Sequence, residues 1–114
     1  MPRLMIEYVR HMMDEAQYIV RVTTGKTAEQ LREDETLKRA VVRSLEIMGE
    51  AAKQLSDDYR NEHADIPWKA ICGMRDRLIH GYITVDYEIV WEVATKQMPE
   101  VKEKLTRLLA EPRH

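Results

Sequence analysis

Arg75, His80 and Tyr82 fall together in the stretch Met74-Arg75-Asp76-Arg77-Leu78-Ile79-His80-Gly81-Tyr82. A guanidinium presents a planar fork of donors that suits phosphate or carboxylate oxygens. An imidazole moves protons near neutral pH, and a phenol offers an oxygen for modification. The spacing around them is helical: Trp68, Ile71, Cys72, Leu78 and Ile79 recur as one apolar face. Arg75 lies seven residues after Trp68, in the middle of that face. It cannot lose its proton, so the position requires an anionic partner, an opening to water, or a wet cleft between subunits.

Five residues turn a helix through about 140°, so Arg75 and His80 do not share a face of a straight helix. Gly81 is expected to end the helix in the left-handed region, which places His80 near the cap and frees its ring to turn back. Alternatively, each residue meets its counterpart from a second copy across a two-fold axis. Asp76, four residues before His80, is placed to reach a ring nitrogen.

The arrangement Arg75-x-x-x-x-His80-x-Tyr82 sits between Ile66-Pro67-Trp68 and Val85-Asp86-Tyr87-Glu88-Ile89-Val90-Trp91. Together with the stretch from Arg39 to Lys53, this closely resembles the HepT-like members of the HEPN superfamily, small helical ribonuclease toxins. The resemblance spans essentially the whole chain. It implies an all-α, HEPN-like antiparallel bundle that pairs as a two-fold dimer. It also implies a metal-independent endoribonuclease in which Arg75 and His80 are the catalytic pair and Asp76 orients them. Many members carry asparagine at the position of Asp76. The implied products are a 2′,3′-cyclic phosphate and a 5′-hydroxyl, formed in a cleft to which each subunit brings one arginine–histidine pair. The partner implied, besides RNA and a second copy, is a minimal nucleotidyltransferase antitoxin that transfers AMP to Tyr82, as in a type VII-like toxin–antitoxin system. Added phosphate there would occupy Arg75 and repel RNA.

Read without the resemblance, the same residues have plainer roles. Arg75 is then a buried ion-pair residue, His80 a helix-terminal residue and Tyr82 a core or interface aromatic. Two further functions stay open on that reading: a non-catalytic helical subunit that binds and is modified by a nucleotidyltransferase, and a plain dimeric scaffold. The net charge of −2 favours these over a general nucleic-acid coat, while leaving room for a local basic cleft. Cys72 is the one cysteine, so no internal disulfide forms, and its place on the apolar stripe marks it as a small core residue. The histidines show no ligand spacing, and no metal or cofactor is expected. Arg3, Glu7, Arg10 and Asp14 interrupt the apolar content of the N-terminal stretch, which argues against a membrane span and for a cytoplasmic protein.

One domain, residues 1–114, is expected from the length, built of four to five amphipathic helices. The first runs from about Arg3 to Thr23 and stops at Gly25. Thr27 and Gln30 form a capping box for a second, which breaks near Glu33-Asp34-Glu35. A long helix follows to about Leu55, with Leu37, Val41, Leu45, Met48 and Ala52 inward. Ala40, Ser44, Gly49 and Ala51 are small enough on this helix to admit a close neighbour. Ser56 starts a short turn, Pro67 opens the helix that carries Arg75, and Thr84 or Asp86 caps the next. That last helix turns Ile89, Val90, Val93, Ala94 and Met98 inward, and Pro99 either kinks it or begins a final segment.

Overall fold

The computed structural model describes residues 3–111, the side chains of Arg3, Leu4 and Tyr82 apart. Its elements are α1 (Arg3–Thr23), α2 (Ala28–Glu33), α3 (Glu35–Lys53), α4 (Asp57–Glu62), α5 (Trp68–His80), a 3₁₀ turn (Tyr82–Thr84), α6 (Tyr87–Glu92), a π segment (Val93–Gln97) and α7 (Met98–Ala110). The described residues are all-α, with no strand among them. The helix α3 lies at the centre, packed on α1 at one side and α5 at the other, and α7 closes against α1.

Local chemistry sets the boundaries. Gly25 ends α1 with φ 79°, a conformation a Cβ disfavours. The capping box at the start of α2 forms in full: Thr27 Oγ1 accepts from the Gln30 amide, and Gln30 Oε1 accepts from the Thr27 amide. Asp34 ends α2 and caps α3, where its carboxylate accepts from the Leu37 amide. Of the two candidates for α6, Asp86 is the cap, its carboxylate accepting from the Glu88 amide, while the Thr84 hydroxyl donates to the Gly81 carbonyl. Pro67 immediately precedes α5 rather than opening it.

Pro99 is answered by geometry upstream of it. The chain from Tyr87 to Ala110 continues as one rod, but the Met98 amide donates five residues back to the Val93 carbonyl. The wider π turn absorbs the missing proline donor, and Pro99 falls in the first turn of α7.

The core holds Val9, Met12, Ile19, Leu31, Val41 and Met48 with Leu78, Val90, Met98 and Leu105, all essentially inaccessible. Ile89, expected inward, is 44% exposed, and Ile83 is 83% exposed. The expectation of small residues on α3 has a specific outcome. Ser44 is buried and donates to Glu15 Oε1 on α1 at 2.7 Å. Gly49 faces α5 so closely that a Cβ built on it lies 2.1 Å from Arg75 Cβ and 3.1 Å from the Ile71 carbonyl oxygen. The crossing is therefore made of backbone at Gly49 and the stem of Arg75. Gly49→Ala forces the two helices apart and costs about 1–3 kcal/mol or more, measured as a lower urea midpoint with an unchanged slope.

Candidate functional site

The start of α5 is anchored by its tryptophan. Trp68 is buried, and its Nε1 donates to the carbonyls of Arg60 and His63, 3.0 Å each. Those carbonyls belong to the end of α4, which therefore gains partners its own helix does not supply. With that end held and Gly49 beneath the middle, the rotation of α5 is set. Trp68, Ile71 and Leu78 face inward, and Arg75 lies among them at the edge of the core.

Two of the alternatives that the sequence leaves open for a guanidinium at this position, an anionic partner and an opening to water, are met together. Arg75 keeps 23% of its side-chain surface exposed, so the charge reaches water. Its Nη1 lies 3.1 Å from Asp76 Oδ1, and its Nη2 lies 3.9 Å from Glu50 Oε1 on α3. Nε is buried without a partner among the described residues, so the fork is held at its tips only. Asp76 is in turn shared: Lys53 Nζ at the end of α3 stands 2.7 Å from the same Oδ1. Hydrogen bonds from Lys53 first and Arg75 second hold the Asp76 carboxyl below its ordinary range. Glu50 also meets Arg43 at 3.8 Å, so the charges form a chain along the α3–α5 edge.

His80 is the last residue of α5 and is exposed. Two expectations about it are corrected here. The Asp76 carboxylate does not take its ring; the Asp76 backbone carbonyl does, with His80 Nδ1 3.0 Å from that oxygen. A helical carbonyl four residues back is the nearer acceptor, and the carboxylate is already occupied by two cations. The left-handed cap at Gly81 is also absent: its φ is −121°, and its amide still donates to the Arg77 carbonyl at 2.9 Å. Glycine serves here by close approach, since a Cβ would lie 3.1 Å from that carbonyl oxygen. The chain runs straight on into the 3₁₀ turn that Tyr82 opens, and the Tyr82 side chain lies outside the described residues.

A carbonyl only accepts, so as a hydrogen bond this contact has Nδ1 donating; the tautomer with hydrogen on Nδ1 leaves Nε2 with its lone pair. One residue, Asp76, thus orients both partners: its carboxylate holds the arginine fork and its carbonyl holds the imidazole. No sequence signal distinguishes the Asp76 carbonyl from its carboxylate as the histidine's acceptor, and none points to Lys53, whose partner lies on another helix.

A HepT-like ribonuclease model matches residues 12–108, most of the chain. The chain belongs to the HepT-like ribonuclease family. A relative from Caldanaerobacter subterraneus subsp. tengcongensis that bears an RNase name is 42% identical over 102 residues, covering 90% of this chain and 91% of its own. One from Methanocaldococcus jannaschii, also named as an RNase, is 34% identical over 97 residues, covering 84% and 80%. A third, from Thermococcus cleftensis and named as a ribonuclease HepT, is 33% identical over 102 residues, covering 90% and 93%. No solved structure gives a significant match.

Cys72 stands apart from this chemistry. It is half-buried, its Sγ is 3.9 Å from Arg60 Nη1, and burial pushes its thiol up despite that cation. Among the described residues, no helix is long and apolar enough to cross a membrane.

Asp76 sets an acid dependence with a definite sign. A carboxyl held below its ordinary value of 3.8 contributes stability that is present above that value and is lost as the pH falls through the depressed one. Asp76→Asn removes the term, so the urea midpoints of the variant and the parent differ more at about pH 6 than at about pH 3.

Proposed function

We propose that this protein is the toxin of a type VII-like toxin–antitoxin pair, a metal-independent endoribonuclease that uses Arg75 and His80. The observation that carries the reading is the double hold of Asp76 on Arg75 and His80, at an exposed helix end in a chain of a ribonuclease family.

In this reading, Arg75 receives a non-bridging phosphate oxygen. Asp76 and Glu50 hold the fork without burying it, so substrate oxygens compete with carboxylates that are themselves shared with Lys53 and Arg43. The 2′-hydroxyl gives its proton to His80 Nε2 and attacks the adjacent phosphorus. Negative charge develops on the phosphoryl oxygens and is stabilised by the guanidinium. The bond from phosphorus to the 5′-oxygen breaks, and that oxygen takes a proton from an imidazolium. The products are a 2′,3′-cyclic phosphate and a 5′-hydroxyl. A two-fold dimer supplies a second Arg75–His80 pair, so that one imidazole acts as base while the other acts as acid. The exposed Ile83 and Ile89, on the segment after His80, support such a pairing, since large apolar side chains are unfavourable in water.

Control by a nucleotidyltransferase antitoxin follows from the place of Tyr82 in the chain. Its backbone opens the turn directly after His80. An AMP group attached there adds phosphate next to Arg75 and occupies the site meant for RNA.

Arg75→Ala and His80→Ala each lower RNA cleavage measured in EDTA, by about 10²–10³-fold and about 10²–10⁴-fold, with helical circular dichroism unchanged. Cleavage at the parent's rate by both variants removes the assignment. Incubation with the nucleotidyltransferase and ATP adds AMP to the parent and none to Tyr82→Phe, read by intact-mass spectrometry. An inert parent that still accepts AMP identifies a modified, non-catalytic subunit instead.

A further inference from the structure

The two acids that face Arg75 are not held alike. Asp76 Oδ1 stands 3.1 Å from Arg75 Nη1 and 2.7 Å from Lys53 Nζ, both at hydrogen-bond length. Glu50 makes no such contact. One of its oxygens, Oε1, lies 3.9 Å from Arg75 Nη2 and 3.8 Å from Arg43 Nη1, beyond hydrogen-bond length of either. The carboxylate is drawn by two guanidinium groups and fastened to neither, and its side chain is partly exposed, so it has room to turn. Arg43 is itself anchored: the same Nη1 donates to Glu46 Oε1 at 3.2 Å, and Glu46 is mostly buried. On Arg75, Nη1 donates to Asp76 and Nε is closed in, while Nη2 makes no hydrogen bond with the described residues and is not closed off from water. An oxyanion that approaches the fork therefore meets Nη2, the atom that Glu50 faces.

We infer that Glu50 is a displaceable stand-in for phosphate at Arg75 Nη2, and that Arg43 receives its carboxylate when the phosphate arrives. The inference rests on the reading that Arg75 binds a phosphate of RNA. It adds a positioning residue, Arg43, which acts through Glu50 and does not touch the substrate. A phosphate and a carboxylate at one nitrogen repel, so one of the two acids must give way. Asp76 is pinned by two cations. Glu50 needs only a side-chain turn, because Arg43 lies seven residues earlier on α3, about two turns away on the same face. Glu46 opposes that turn, since acids four residues apart on a helix repel, and its ion pair with Arg43 offsets the repulsion. The half-buried guanidinium thus keeps an anion beside it both before and after the phosphate binds.

The test reads binding without cleavage. A fluorescein-labelled, mixed-sequence RNA octamer, made uncleavable by 2′-O-methylation, is titrated into the full chain and followed by anisotropy. Glu50→Gln tightens binding and Arg43→Ala weakens it, each by about two- to five-fold, the worth of one partly exposed ion pair. Arg43→Lys restores the parent's affinity. Added to Glu50→Gln, Arg43→Ala changes nothing, because no displaced carboxylate is left to receive. Added to Arg75→Ala, Glu50→Gln no longer tightens. Glu35→Gln, which removes an acid at the far end of α3, leaves the affinity unchanged. An Arg43→Ala effect of equal size with and without Glu50 makes Arg43 a direct contact to RNA and overturns the exchange. So does a Glu50→Gln variant that binds no tighter than the parent, or a parent that does not bind. Cleavage of unmodified RNA in EDTA is followed in parallel. A parent that shows the full binding pattern but does not cut keeps the exchange and loses the nuclease reading. A parent that cuts while both single variants bind as it does keeps the nuclease and loses the exchange.

Discussion

The close crossing of α3 and α5 governs the rest of the molecule. At Gly49 there is no side chain between the helix axes, and the stem of Arg75 occupies the space a Cβ would take. This contact sets how far α5 can turn and slide on α3. With Trp68 clamped to the end of α4, it fixes which residues of α5 face the core and which face water. Arg75 is held at the boundary, its aliphatic part packed and its charged tip open. A bulkier residue at position 49 would shift the register and separate Glu50 and Lys53 from their partners on α5.

The charges along that edge show how a cation is kept available. A single carboxylate against Arg75 would neutralise it and compete strongly with any phosphate. Here Asp76 divides its carboxylate between Lys53 and Arg75, and Glu50 divides its own between Arg43 and Arg75. Each acid orients the fork while spending part of its field elsewhere. Most of these groups are partly exposed, so solvent screening keeps the energies modest and their value is geometric. The histidine is oriented without any charge, through a backbone carbonyl that cannot change its protonation state.

An acidic chain in a ribonuclease family needs its positive potential confined. Lys53, paired with Asp76, and the exposed Lys69 and Arg77 all line one groove beside α5. Elsewhere cations are spent on structure: Arg32 pairs with Glu88 to bind α2 to α6, and Lys38 lies over the ring of Tyr87 at 4.7 Å. Tyr87 and Trp91 both sit half-buried against the core.

Much was legible in the sequence because it is local. Period-3.6 patterning located the long helices, and the capping box at Thr27 and the stop at Gly25 appear where short-range hydrogen bonding and backbone sterics put them. The placement of Arg75 on an apolar stripe already required an anion, an opening to water or a wet cleft nearby. What the sequence could not decide is whatever depends on two segments meeting. Gly49 was one of several small residues on α3, and only packing singled it out as the point of contact. Lys53 became a partner of Asp76 because α3 ends beside the middle of α5. Gly81 is the residue type of a left-handed cap, but its φ is −121° and the chain continues into a 3₁₀ turn, with the Arg77 carbonyl oxygen 3.1 Å from where a Cβ would stand. Ile89 followed the inward stripe of its helix and still came out exposed, because α5 does not close over the rod that carries it. Helix period and capping are properties of neighbouring residues. Contacts between helices depend on axis distances and rotations that no single segment encodes.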